Sequence, residues 1–337
     1  MSAHSKAWST AALVCLPGVL GCQSAAAAPA SARVDLAFVG DILLDSAPGQ
    51  TIAAGGDPFQ NVAGILSRVD VTIGNLECPV AAGGQVVDKM FTFRANPATL
   101  AKLKSHIDVV SLANNHSGDY GPEALTETMQ HLKNSGIPYF GAGLNLTEAH
   151  KPYLFERNGI RIALLGYDEF LPRSFEAGPG RPGVAWSEDE QVVLDIRRAR
   201  EAGADVVVPF MHWGWENETA PSARQRQLAK VMIDAGADAV VGAHPHITQG
   251  VEMYRGRPIV YSLGNFVFDL FDKPQNTEAW MLRMTVDQMG VVIWNTVVVR
   301  IDDKGMPTPD LSIASPCGRR GEPAATECIG GARPDAK

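Results

Sequence analysis

The chain has 337 residues and a net charge of −8, with 29 Lys and Arg against 37 Asp and Glu. It has no run of five or six like charges, which excludes a polycationic surface for nucleic acid. A hydrophobic fraction of 45% over this length supports one sizeable core, hence one catalytic-type domain with a leader and a tail.

Residues 1–32 read as an export signal and tether. His4 and Lys6 precede the apolar stretch Ala7–Leu20, which is too short to remain in a bilayer as a spanning helix. Two processing ends stay open. Val19-Leu20-Gly21-Cys22 reads as a lipobox, with the lipid on Cys22, whereas Ala30-Ser31-Ala32 offers a cleavage site that releases a soluble protein.

From 33 to 302, strand-like and helix-like runs alternate, the pattern of a layered α/β fold with a largely parallel sheet. Strands are expected at 34–40, 70–74, 108–113 and 137–140, with helices near 58–67 and 98–105 and at 122–134. Asn158-Gly159 marks a tight hairpin between 153–156 and 161–166. Helices at 187–202 and 221–235 then alternate with strands at 205–211 and 238–242. The last runs, 250–254, 258–262, 280–286 and 291–300, lack intervening helices and suggest a second, more antiparallel sheet. Two sheets with helices outside give a four-layer α-β-β-α sandwich. Residues 303–337 read as a Gly/Pro-rich tail in which Cys317 and Cys328 could pair in an oxidising space, and Cys78 reads as a small buried residue.

Chemistry-bearing residues collect at the ends of the strand-like runs, where ligands gather in open α/β sheets. Asp41 ends the first run and Glu77 follows the second. Asn115-His116, His212 and His244-Pro245-His246 follow three others. Such a set of N and O donors without thiolate suits one or two divalent ions, with Mn, Zn, Fe and Mg undistinguished. A divalent ion would acidify water from about 15.7 toward about 7. Glu77 is the candidate bridge between two ions, Asn115 offers a carbonyl oxygen, and His116 is better placed as general acid than as ligand. Asp119, Trp213, Glu216 and Asn265 are expected around the site as supporting or substrate-contacting residues. Asp119 alternatively caps helix 122–134, and Trp213 and Trp215 alternatively pack beneath the site. His106, His131 and His150 have no company and read as surface or helix residues.

Six segments, taken in order, resemble the motif set of the CapA family of capsule (poly-γ-glutamate) biosynthesis proteins, itself similar to calcineurin-like metallophosphoesterases. They are Gly40-Asp41, Gly74-Asn75-Leu76-Glu77, Ala113-Asn114-Asn115-His116 with Asp119-Tyr120-Gly121, His212-Trp213-Gly214, Gly242-Ala243-His244-Pro245-His246 and Ser262-Leu263-Gly264-Asn265-Phe266. The resemblance implies a sandwich of metallophosphoesterase type, with Asp41 and His246 at a first metal and Glu77 bridging. Asn115, His212 and His244 would then serve a second metal, and His116 would be the acid. One departure stands out: where the phosphoesterase pattern reads Asp-x-His, this chain has Asp41-Ile42-Leu43, with Asp45 nearby as a substitute donor.

Two functions follow from the resemblance. One is an exported, lipid-anchored, metal-dependent hydrolase, cleaving a phosphoester or an amide, in the synthesis, export or attachment of an anionic capsule polymer. The other is a non-catalytic accessory protein that binds the polymer or its membrane synthase through a metal-stabilised cleft. The implied partners are the polymer or its precursor, synthase or export subunits, and the membrane through the lipid.

Overall fold

The computed structural model describes residues 1–2 and 32–330. Most of the segment read as a leader, including Cys22 where the lipobox is expected, lies outside the described residues.

Two sheets stack face to face. The main path of the first runs Thr326–Ile329, Ala314–Arg319, Gly290–Ile301, Glu278–Asp287, Val34–Ile42, Val71–Leu76, Val109–Ser111, Tyr139–Phe140. The second runs Thr248–Tyr254, Arg257–Leu263, Val240–Ala243, Val206–His212, Ile160–Asp168, Tyr153–Arg157. Three apolar clusters separate four layers, so the expected α-β-β-α sandwich is the one observed. Between the sheets, Phe38, Ile73 and Leu282 meet Leu164, Val208 and Val241, and the rings of Phe38 and Phe210 meet edge to face at 5.9 Å. Outside the first sheet, Leu103, Leu125 and Leu132 from the helical segments pack on Val110 and Val297. Outside the second, Val192 and Ile196 of helix Asp189–Glu201 and Leu228 and Met232 of helix Ala223–Ala235 cover Leu165 and Val207. Each such side chain contributes about 1.5–3 kcal/mol by leaving water.

The local signals account for most elements. Asn158 and Gly159 take φ of 51° and 74°, as the tight hairpin requires. Ser222 and Gln225 form a reciprocal capping box that starts helix Ala223–Ala235. Four expectations need correction. The helix near 58–67 is only Ala63–Leu66, and a helix not foreseen occupies Ser46–Ala53. Asp45 is no substitute ligand: it caps that helix, its Oδ1 accepting from Ser46 N and its Oδ2 from Arg94 N, both at 2.8 Å. The late strands do not build a second sheet by themselves. Thr248–Tyr254 and Arg257–Leu263 extend the mixed second sheet, whereas Glu278–Asp287 and Gly290–Ile301 join the first beside Val34–Ile42. The segment read as a tail carries strands Pro307–Asp310, Ala314–Arg319 and Thr326–Ile329, and there Cys317 and Cys328 are bonded, with Cα atoms 5.8 Å apart. Cys78 is buried and free. No helix among the described residues is long and apolar enough to cross a membrane.

Candidate metal centre

The parallel strands Val34–Ile42 and Val71–Leu76 of one sheet, and Ile160–Asp168, Val206–His212 and Val240–Ala243 of the other, end at a common rim. Close backbone approach there depends on glycine: a Cβ on Gly40 would lie 1.8 Å from Gly264 O, and one on Gly242 2.1 Å from Tyr261 O. Just beyond Ala243, His244 and His246 both take positive φ, 94° and 58°. Such strain at non-glycine residues persists only where the surroundings hold it, and here it turns both imidazoles into the site.

The expected donors meet. His212 Nε2 lies 2.8 Å from Asn115 Oδ1, 3.1 Å from His244 Nδ1 and 3.3 Å from Glu77 Oε1. His246 Nδ1 lies 3.4 Å from Asp41 Oδ2 and 2.8 Å from Asn265 Oδ1. Ligand atoms of Glu77, His212 and His244 lie within 4.8 Å of one another, as do those of Asp41, Glu77 and His246 and those of Glu216, His244 and His246. Glu77 thus belongs to two overlapping groups, the position a bridging carboxylate needs. Asn75, quoted only as part of a motif, ties the two carboxylates together. Its Nδ2 donates to Asp41 Oδ1 at 2.8 Å and to Glu77 Oε2, and its Oδ1 accepts from Asn114 Nδ2 at 2.9 Å.

A divalent ion fits this arrangement on electrostatic grounds. One imidazole nitrogen of His212 faces three lone-pair donors and can satisfy one at most, and the buried Glu77 Oε1 and His244 Nε2 have no hydrogen-bond partner. Burial opposes ionisation of Glu77, but attraction to His212 outweighs it and holds the carboxyl below its usual range. Burial and then the neighbouring His212 and His246 push His244 well below the usual imidazole value, so it stays neutral with lone pairs available. Burial likewise disfavours charge on His246, yet its hydrogen bond with Asp41 carries it up to about 9.

His116 belongs to none of these three donor groups. Its Nδ1 lies 2.7 Å from Asp119 Oδ2, and its ring packs on Phe93 at 4.5 Å. Asp119 therefore does not cap the following helix. Its Oδ2 also accepts from Phe93 N at 2.9 Å and its Oδ1 from Lys89 Nζ at 2.9 Å, while the cap position falls to Tyr120, which makes no capping bond. Trp213 touches no open space: it is fully buried, stacks on Tyr261 and donates to Tyr261 O at 2.9 Å, which makes it packing beneath the site. Asn265 orients His246, and Glu216 is exposed beside His244 and His246. The rings of Phe170, 3.9 Å from His244, and Phe268, 5.0 Å from His246, shield the centre from water.

Sequence reasoning missed Lys89 and Asp168. Lys89 lies in a loop without periodicity, and its Nζ reaches Asn115 O at 2.7 Å and His116 Nδ1 at 3.0 Å. Asp168 ends strand Ile160–Asp168 in register with His212. It is buried, its Oδ2 has no partner, and burial raises its carboxyl to about 7. The available signal was that this strand neighbours the His212 strand, so its end also reaches the rim. His150 was wrongly read as solitary: it is buried, with Nδ1 2.8 Å from Asp195 Oδ2. His106 and His131 pair with Asp57 and Glu127.

Known proteins are similar to this chain in sequence and in fold. The model of the family described as bacterial capsule synthesis protein PGA_cap matches residues 35–270. The chain is 38% identical over 238 residues to the PGA biosynthesis protein CapA of Bacillus subtilis (strain 168), covering 69% of this chain and 62% of that protein. It is 32% identical over 290 residues to the capsule biosynthesis protein CapA of Bacillus anthracis, covering 83% of this chain and 70% of that one. The match thus spans less than two thirds of the B. subtilis protein. Among solved structures, a hypothetical protein from Thermus thermophilus is similar in fold, with a TM-score of 0.50 at 18% identity, over 78% of this chain and 98% of that one.

Proposed function

The chain belongs to the bacterial capsule synthesis protein family PGA_cap, and on that premise we propose that it is a metal-dependent hydrolase of poly-γ-glutamate capsule biosynthesis. The observation that carries the reading is the convergence of Asp41, Glu77, Asn115, His212, His244 and His246, from distant segments, on one buried cluster in which Glu77 Oε1 and His244 Nε2 have no hydrogen-bond partner. Asp41 and His246 would hold one ion, Asn115, His212 and His244 another, with Glu77 between. When bound, a divalent ion supplies Lewis acidity and an acidified water.

The protein's own groups do the rest. Asn75 fixes the separation of the Asp41 and Glu77 carboxylates, and Asn265 fixes the His246 ring. Asp119 holds His116 through Nδ1, which leaves Nε2 to carry the transferable proton. As water oxygen bonds to phosphorus or carbonyl carbon, the bond to the departing oxygen or nitrogen breaks and His116 delivers its proton there. Phe93, Phe170 and Phe268 exclude bulk water around the reacting groups.

Metal content by elemental analysis, followed by turnover of phosphoester and γ-glutamyl peptide substrates, tests this. His116→Ala should keep its metal and lose about 10²–10⁴-fold in kcat. A specific observation favours a second reading: Leu43 is apolar and fully buried where the phosphoesterase pattern has histidine. It supports a non-catalytic accessory protein that binds the polymer or its membrane synthase. Wild type and His116→Ala both inert, with polymer binding intact, would establish that alternative. The leader supports an envelope location with a lipid on Cys22, and Cys22→Ala should then move the protein from the membrane to the soluble fraction.

A further inference from the structure

A cleft of about 510 Å³ opens directly onto Asn115 and His116. Its walls come from Val87–Phe91 and from Phe170–Pro172 with Ser174 and Phe175, while Arg173 turns away to Glu176 and Glu188. Large apolar side chains stand in solvent here: Met90 is 89% exposed, Leu171 63% and Phe91 52%, with Trp215 at 61% set edge-on against Phe170. Single exposed apolar residues need no explanation, but a cluster at the mouth of a polar centre does.

Charge narrows what the cleft takes. Asp88 and Glu216 line it with negative charge, and Lys89, the one lysine or arginine among its described lining residues, already donates to Asn115 O and Asp119 Oδ1. A chain of further carboxylates would find no counter-charge along these walls. Resting on the hydrolase reading above, we propose that the leaving-group side of the centre binds an apolar moiety. The substrate is then an amphiphile, with its anionic head at the strand ends and a hydrocarbon or aromatic portion along Met90, Phe91 and Leu171. Because His116 lines the same cleft, the group that departs with its proton is the apolar one.

Metal-reconstituted protein is titrated calorimetrically with octylphosphonate and methylphosphonate, which share a head and differ in tail. The octyl compound should bind about tenfold more tightly or better, since several methylenes leave water. The advantage should fall below about threefold in Phe91→Ser/Leu171→Ser, whose substituted residues are exposed and whose melting curve is recorded as a control. In parallel, 1-octanol is added to metal-free protein and the emission of Trp215 is followed, with Trp215→Phe to assign the signal. If neither phosphonate binds yet octanol shifts Trp215 in wild type and not in the double variant, the apolar cleft stands and the phosphoester reading falls. Equal affinity for the two phosphonates overturns the proposal. So does an octanol response that is absent or unchanged by the double substitution.

Discussion

Replacing Asn75 by aspartate changes almost no volume yet inverts the electrostatics of the centre. The wild-type amide donates to both Asp41 and Glu77. Asn75→Asp removes both donors and sets a third carboxylate between two buried ones. Hydrogen bonds to charged groups contribute about 1.5–3 kcal/mol each, so losing two costs roughly 3–6 kcal/mol. The protein can escape part of this by protonating one carboxyl. From an ordinary pKa near 4 that costs about 4 kcal/mol at pH 7, at about 1.36 kcal/mol per pH unit, and restores only one donor, so it brings little relief and the expected defect is about 3–6 kcal/mol. At pH 5 the escape costs only about 1.4 kcal/mol and leaves one of the two hydrogen bonds unmade, so the defect should shrink to about 3–4 kcal/mol. Urea unfolding in the presence of chelator, at pH 7 and pH 5, measures both numbers, and adding saturating divalent ion at pH 7 should restore most of the loss. A defect below about 1 kcal/mol at pH 7, or one larger at pH 5 than at pH 7, would refute the view that this amide holds two anions together.

Three other outcomes follow from the same structure. Asp168→Asn keeps an oxygen for Phe170 N and removes a buried charge. Because burial raises this carboxyl to about 7 from an ordinary value near 4, the stability it contributes is lost progressively as pH climbs between those values, so the variant should gain most in melting temperature over wild type at pH 8 and the gain should shrink toward pH 4. In metal-free protein, His246, lifted to about 9 by Asp41, contributes stability that is complete below an unfolded value near 6.5. Melting in chelator should therefore fall as pH climbs between those values, and His246→Asn should flatten that slope. Reducing the Cys317–Cys328 bond, which closes a separation of 11 residues, should cost about 3 kcal/mol by the chain-entropy relation, read as faster amide exchange in Ala314–Arg319 and Thr326–Ile329.

The site was legible because its residues interrupt apolar runs. A buried parallel strand reads as a short hydrophobic block, and the polar side chains that follow it, Asp41, Asn75 with Glu77, or His212, fall at the rim whichever sheet the strand joins. Strand partners were not legible in the same way. Nothing local in 280–286 or 291–300 says that these runs return to Val34–Ile42, since pairing is decided by complementary faces far apart in sequence. Asp168 escaped for a related reason: the run was taken to stop at Gly166, before the strand's own polar end. His150 was read as solitary because its partner Asp195 sits 45 residues away on a helix.

The position of Val34–Ile42 constrains how the chain becomes a protein. One flank of this strand is covered by residues 71–76, which follow at once, but the other awaits residues 278–287, nearly the entire polypeptide later. Until those arrive, the molecule carries an open, apolar ribbon edge able to recruit a neighbour's backbone. Assembly is therefore slow and dominated by distant partners, and a product truncated before residue 278 should aggregate even though every donor of the centre has already been made.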